Sequence, residues 1–432
     1  MKRLFMFVLI CLLFPFLLCA QTGISVSSYS IDLKPGITDK WAGVTLICRF
    51  IPQEEMKNVQ FIFSSEAKIS SLRWLKGKQW LKAGFRKNGK DSILVAGRKK
   101  LLKGKEYTLR FIYRYPAGRL NDTLLMLDRG HRWYPLIMDR IAPFKLTCRV
   151  PSKYNVLTAG RETGVKKGAE KLIRFESGGP VFKIPAVIFN PARFAPVQGK
   201  YADAYILTAD KEKFAAALKR CEPAFEYLEK TFGVRGNEKL KLIEVKDFPG
   251  VNICSGLLMC GAETMKLICS GYDDPLHLAI VQQWFGARVF ARYGGKGFPF
   301  LSISLPHYIR YRYMRELKGD GEYEKLLNEV AVTYGRIKGS EKEVPVIEIN
   351  SPDTPEKGIA LYAKGPLILS AIEKEMGSDS FGYFLKCLYD DFSGKIMSLD
   401  DFEAYLARDD DHGEILNLFR KLMNSKAAEF NL

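Results

Sequence analysis

From Ile24 to about Val197, apolar residues either alternate with polar ones or run in short blocks. Tyr29–Leu33, Val44–Cys48, Tyr107–Tyr113 and Phe144–Val150 each read as a strand. Turn signals separate them: Lys34-Pro35-Gly36, Lys87-Asn88-Gly89 and Lys103-Gly104-Lys105. Four of the five tryptophans lie in this half, and no long helical period does. The pattern predicts an all-β domain, a saddle or sandwich. After Lys200 the period changes. Phe214, Leu218, Cys221, Phe225, Leu228 and Phe232 recur at intervals of three, four or seven, one face of a helix that Pro223 should kink and Gly233 should end. Leu240–Val245 reads as a short strand. Asp274-Pro275 predicts the start of an apolar helix reaching about Val289, and Ser304–Pro306 opens another. Further helical periods fill 322–335, 359–376, 380–390, 399–407 and 414–428. The linker falls near Pro196–Tyr201. The expected fold class is α+β, with residues 21–200 forming the β domain and 201–432 a mostly helical one.

The first twenty residues read differently. Lys2 and Arg3 precede an apolar run from Leu4 to Leu18, and Ala20 puts a small residue before Gln21. This is the pattern of a signal peptide over residues 1–20, so the protein is expected in the periplasm or secreted, with no transmembrane segment after cleavage. Leu18 argues against lipoprotein attachment at Cys19, because lipoprotein signals place a small residue directly before the cysteine. Removing 20 of 432 residues, Lys2 and Arg3 among them, leaves 412 residues and takes the net charge from +18 to +16. A basic field attracts nucleic acid, anionic membranes and acidic substrates alike. The charges are read as spread along the chain, a solvated surface with no nucleic-acid partner. The densest cluster is Arg98-Lys99-Lys100 with Lys103 and Lys105, at a turn between strands.

Seven cysteines follow the expected signal peptide, an odd number scattered through a large chain, which is no disulfide framework; Cys254 and Cys260 could pair in an oxidising compartment, which spacing alone does not show. The four histidines are His131, His277, His307 and His412. The residues four places beyond them are Pro135, Val281, Tyr311 and Leu416. An HExxH or HxxEH zinc helix needs two ligands one turn apart on the same face, and the chain contains neither motif.

Four strings in sequence order nonetheless resemble the aminopeptidase N family of gluzincin metallopeptidases. Gln283-Trp284-Phe285-Gly286 is similar to the end of that family's HExxHQWFG helix. Leu361–Leu369 resembles its YxKG segment, and Asp247–Leu258 its DF…GAMENWGLI strand. Arg132–Pro135 with Phe144–Pro151 resembles its N-terminal saddle. The resemblance implies a β saddle followed by a thermolysin-like helical domain, with a site that has lost its chemistry. Leu278 and Gln282 stand at the histidine positions, Ala279 at the general base and Ile303 at the third ligand. Ile253 replaces the glutamate that grips a substrate α-amine. Tyr362 keeps the place of the tyrosine that stabilises the oxyanion, a donor that contributes ~3–4 kcal/mol but supplies no nucleophile. His277 and His307, with Cys254, Asp273 or Asp274, are the only replacement ligands nearby.

The sequence is therefore expected to specify an exported pseudopeptidase, with no zinc, that takes an extended peptide or protein partner in a cleft between its domains. Two alternatives stand beside this reading. One is a divergent zinc aminopeptidase with replacement ligands; the other is a basic structural protein of the envelope.

Overall fold

The computed structural model describes residues 23–36, 40–117, 123–128, 130–235, 238–408, 410 and 413–430. The expected signal peptide, residues 1–20, and His412 lie outside these residues. The chain divides into two compact units. Among the described residues, one runs from Gly23 to Pro196 with Cys254–Leu257, and the other comprises Val197–Ile253 and the residues from Leu258 onward.

The first unit is built on an eight-stranded sheet. Its strands lie in the order Arg161–Lys166, Glu170–Glu176, Phe144–Pro151, Ile24–Lys34, Trp41–Pro52, Tyr107–Pro116, Lys68–Lys76 and Gln79–Lys82. Ile24–Lys34 pairs parallel with Phe144–Pro151 and antiparallel with Trp41–Pro52. The alternation read in the sequence becomes the two faces of this sheet. Leu46, Cys48 and Phe50 point inward beside Leu109 and Phe111, where two three-stranded sheets supply Phe61, Val95, Leu125 and Ile188 to the same core. Rings meet edge-on there, Phe61 against Phe111 at 5.3 Å and Phe63 against Tyr113 at 4.9 Å. Trp133 is fully buried and its indole N–H donates to the Ile184 carbonyl at 3.1 Å. The Arg132–Pro135 string is thus part of the packing of this unit.

The second unit is mostly helical. A five-stranded sheet opens it, ordered Ala195–Gln198, Ala202–Ile206, Leu240–Val245, Leu257–Gly261 and Val251–Cys254. The helices among the described residues are α1 (Lys211–Arg220), α2 (Glu222–Phe232), α3 (Ala262–Cys269), α4 (Asp274–Val281), α5 (Leu305–Lys318) and α6 (Asp320–Gly335), then α7 (Pro355–Ile359), α8 (Gly365–Met376), α9 (Ser378–Phe392), α10 (Leu399–Leu406) and α11 (Glu414–Asn424).

Three boundaries differ from the sequence reading, the simplest being the last helix, which ends at Asn424 and not at 428. Pro223 starts α2 after a break at Cys221 and does not kink one long helix, because a proline in the first turn forgoes only an N–H that has no partner anyway. Helix α4 stops at Val281, well short of Val289. Gly286, at φ +141°, turns the chain back so that its N–H meets the Val289 carbonyl at 2.9 Å, and residues 289–291 are a strand. The apolar run that looked like two further helical turns is a buried turn around Trp284. The seven cysteines from Cys48 to Cys387 are all free thiols, so Cys254 and Cys260 are not paired. Burial pushes the Cys254 thiol up to about 11.

Candidate functional site

Three elements of the helical unit carry the aligned positions. Helix α4 bears Leu278 and Ala279, with Gln282 as its C-cap. A π-helical turn, Phe300–Ser304, bears Ile303 and leads into α5. A second π turn, Ala360–Lys364, bears Tyr362 and leads into α8. Such turns insert an extra residue into a helix and re-aim its side chains. The Ser304 hydroxyl donates to the Leu361 carbonyl at 2.7 Å, holding the two π turns together. Gly365 explains how closely they sit, since a Cβ there would lie 2.0 Å from Ser304 Oγ. The Gln282 side-chain amide donates to the Ser302 carbonyl at 3.4 Å, tying the end of α4 to the first π turn. These positions therefore sit on mutually packed elements. Ile253 belongs to another element, the last strand in the order of the five-stranded sheet.

Ala279 is 1% exposed and Ile303 8% exposed, while Leu278, Gln282 and Tyr362 are half-buried. The residues at the aligned positions do not fit a zinc ion. Leu278 and Ile303 have only hydrocarbon to offer, and Gln282 offers one neutral amide already used as a donor.

The polar chemistry lies one turn away. Asp274, at the start of α4, takes a hydrogen bond from Arg310 Nη1 of α5 at 2.6 Å, and the Arg310 side chain is almost fully buried. His277 is one turn along α4 from Asp274, and His307 is one turn before Arg310 on α5. His307 stands edge-on to Tyr362 at 4.9 Å and His277 edge-on to Tyr313 at 5.4 Å. Burial lowers the pKa of both histidines, against the pull of the Asp274 carboxylate. For His307, burial and the nearby Arg310 charge together bring it to about 3. Both rings are thus neutral near pH 7. Burial works against the Asp274 charge too, but Arg310 and the two histidines hold its carboxyl below the usual range. The four ring nitrogens of His277 and His307, and Nε of Arg310, are buried without a hydrogen-bond partner among the described residues.

His277 and His307 thus flank an ion pair. Among the described residues, no group of three histidine, cysteine, aspartate or glutamate side chains is placed to hold a metal ion. Asp273, the other nearby carboxylate, is bound by Arg220 through Nε and Nη2 at 2.6 and 2.9 Å. Cys254 sits at the end of its strand, in the other compact unit. His131 also lies in the first unit, where its Nδ1 meets Asp128 Oδ1 at 2.6 Å.

Sequence reasoning missed Arg310, although its spacing of three from His307 mirrors the spacing of Asp274 and His277. It also missed a fully buried ion pair beside Tyr362. Lys364 donates to Glu343 Oε1 at 2.7 Å, and Glu343 accepts further from the Tyr334 hydroxyl at 2.8 Å and from the N–H groups of Gly339 and Ala427 at 2.7 and 2.9 Å. A lysine inside the apolar run Leu361–Leu369 was the available signal.

A β unit of several sheets followed by a helical unit is also the arrangement of solved enzymes. The M1 zinc metallopeptidase of Deinococcus radiodurans, as a glutamate-to-alanine mutant, superposes with a TM-score of 0.74 at 16% identity, covering 95% of this chain and 96% of that one. The fold is that of the M1 zinc metallopeptidases. Native yeast LTA4 hydrolase matches the M1 fold again, with a TM-score of 0.75 at 13% identity over 94% of this chain and 68% of its own. The Deinococcus mutant has also been solved bound to a Tyr-Ser-Ala substrate, at a TM-score of 0.72 and 16% identity over 95% and 96% of the two chains. No family model and no curated protein matches the chain.

Proposed function

We propose that this protein is an exported pseudopeptidase: an M1 fold that binds an extended peptide or protein segment without hydrolysing it. The observation that carries the reading is the side-chain chemistry of the aligned positions, where Leu278, Ala279 and Ile303 are hydrocarbon. Hydrolysis in this family needs metal-activated water, and Tyr362 as an oxyanion donor has nothing to act on without it. Binding is supported by the neighbouring polar cluster. Buried donors and acceptors on His277, His307 and Arg310 that lack a protein partner are groups that the polar atoms of a ligand satisfy. Peptide as the ligand class is favoured by the likeness to an enzyme solved with a tripeptide. Strand addition is the mode we favour for an extended peptide.

The experiment combines calorimetric titration of the mature chain with Tyr-Ser-Ala and a release assay for free tyrosine. We expect heat of binding, weakened in a His307→Phe variant, and no tyrosine release above the uncatalysed rate. Turnover sensitive to a chelator would instead establish a metallopeptidase with replacement ligands. That second reading draws on the placement of His277 and His307 beside Asp274.

A further inference from the structure

The positive charge of the chain is more concentrated than the whole-chain reading allowed. Residues 57–114 hold 16 of the 66 Lys and Arg but only Glu66, Asp91 and Glu106 of the 48 acids, which places 13 of the 18 net charges there. This corrects the expectation of an evenly spread surface, because a solvated face has no reason to draw its excess from one seventh of the sequence.

The fold brings part of this charge to one end of the eight-stranded sheet. Lys68–Lys76 turns at Gly77, φ +56°, into the edge strand Gln79–Lys82. It runs antiparallel to Tyr107–Pro116 with Trp74 opposite Leu109, so the turn after Lys76 and the segment entering at Tyr107 share an end. That segment bends at Gly104, φ +74°. It is fixed by the Leu102 N–H to the Tyr107 hydroxyl at 2.9 Å and by the Gly104 N–H to the Pro52 carbonyl at 2.8 Å. These ordered turns expose Lys78, Lys103 and Lys105, and the strand ends leading into them expose Lys76, Lys99 and Lys100. Of the acids nearby, Glu55 is paired with Lys100, and Glu106 is exposed next to Lys105.

Set among the lysines are side chains that gain nothing from water. Leu102 is 47% exposed and Leu75 40% exposed, and Trp80 stands directly opposite Leu75 under the guanidinium of Arg110, 4.4 Å away. Each exposed leucine is flanked by lysines, Leu75 by Lys76 and Lys78 and Leu102 by Lys100 and Lys103, which matches the headgroup boundary of a bilayer. The apolar tips enter the acyl edge, while the lysines are drawn to the anionic surface. A nucleic acid or an acidic polysaccharide would use the cations and leave the leucines in water. We infer that these two turns form a docking surface for an anionic lipid bilayer.

The test is co-sedimentation of the full mature chain with phosphatidylcholine vesicles containing about one third phosphatidylglycerol, and with pure phosphatidylcholine. Two double variants accompany it, Lys99→Glu with Lys103→Glu and Leu75→Ser with Leu102→Ser. All substituted side chains are exposed, so thermal melting should be unchanged, and a variant with a lowered melting temperature is replaced by Lys103→Gln or Leu102→Gln alone. The expected result is binding to the anionic vesicles only, reduced at least about tenfold by each double variant. The proposal is overturned by absence of binding to the anionic vesicles, or by binding of equal strength to pure phosphatidylcholine. It is also overturned if either double variant binds like the parent. Loss in the lysine variant alone would mark a general polyanion surface, to be seen as equal retention of parent and leucine variant on heparin.

Discussion

His307 keeps its ring nitrogens out of water, and its pKa falls from the ordinary 6.5 to about 3. The unfolded chain takes up a proton below about pH 6.5 that the folded chain refuses until about pH 3. This contribution to stability is therefore complete above pH 6.5 and lost as pH falls toward 3, by roughly 3–5 kcal/mol. A His307→Leu variant should flatten that limb of a urea-midpoint against pH curve. An unchanged slope would mean that His307 is protonated in the folded state. Tyr362 and Trp284 make a second contrast at this scale. Trp284 is fully buried with its indole N–H on the Gly233 carbonyl at 3.0 Å, so Trp284→Ala should remove ~3–5 kcal/mol. Tyr362→Phe removes one hydroxyl from a half-buried ring, a loss of about 1 kcal/mol at most. Chemical denaturation of both variants checks the difference.

At the scale of elements, the paired π turns are the part that depends most on close approach. Gly365 has ordinary helical angles, so its lack of a side chain is needed only for the contact with Ser304. Gly365→Ala should force the two turns apart and destabilise the unit by ~1–3 kcal/mol, while Ser304→Ala in the same background should restore part of that loss. Helix α4 bears on a stricter test. Restoring Leu278→His, Ala279→Glu, Gln282→His and Ile303→Glu together would place polar groups at two buried positions and a histidine beyond the last helical turn. Each unpaired polar group costs ~1–3 kcal/mol, so the quadruple variant should unfold at lower temperature and gain nothing from added zinc. A variant that folds and is raised in melting temperature by zinc would show that the enzyme geometry persists.

These elements also show what the sequence reveals. The change of period near Lys200 and the order of the four resembling strings were enough for the fold, because burial of a sheet face and of a helix stripe imprints periods of 2 and 3.6. The end of α4 was not readable. Its apolar residues continue into a buried turn that has the same composition as a buried helix, and only Gly286 marks the change. Asp274–Arg310 and Lys364–Glu343 were hidden for another reason. Each joins residues 21 or more positions apart, on elements whose pairing no local pattern encodes.

For the whole molecule, the C-terminal segment closes the helical unit. Lys364 reaches the Ser425 carbonyl at 2.5 Å, Ala427 donates to Glu343, and the Ala428 N–H donates to the Tyr334 hydroxyl at 2.9 Å. Burial opposes the Glu343 charge, yet Lys364 and these donors bring its pKa down to about 2, so its contribution is complete above pH 4.5 and lost as pH falls toward 2. Truncation after Asn424 should lower the melting temperature and flatten the acid limb in that window, because loss of the Ala427 donor lets the Glu343 pKa rise toward its ordinary value. Lys364→Met should do more harm, ~3–5 kcal/mol, because it leaves Glu343 buried without its partner. The central claim is that an M1 fold has been kept while its metal chemistry has been given up. Zinc content of the mature protein, purified without chelator and measured by elemental analysis against protein concentration, tests it most directly. The account predicts far less than one zinc per chain and the same melting temperature with and without a chelator. One zinc per chain, removed by the chelator together with stability and peptide turnover, would contradict it.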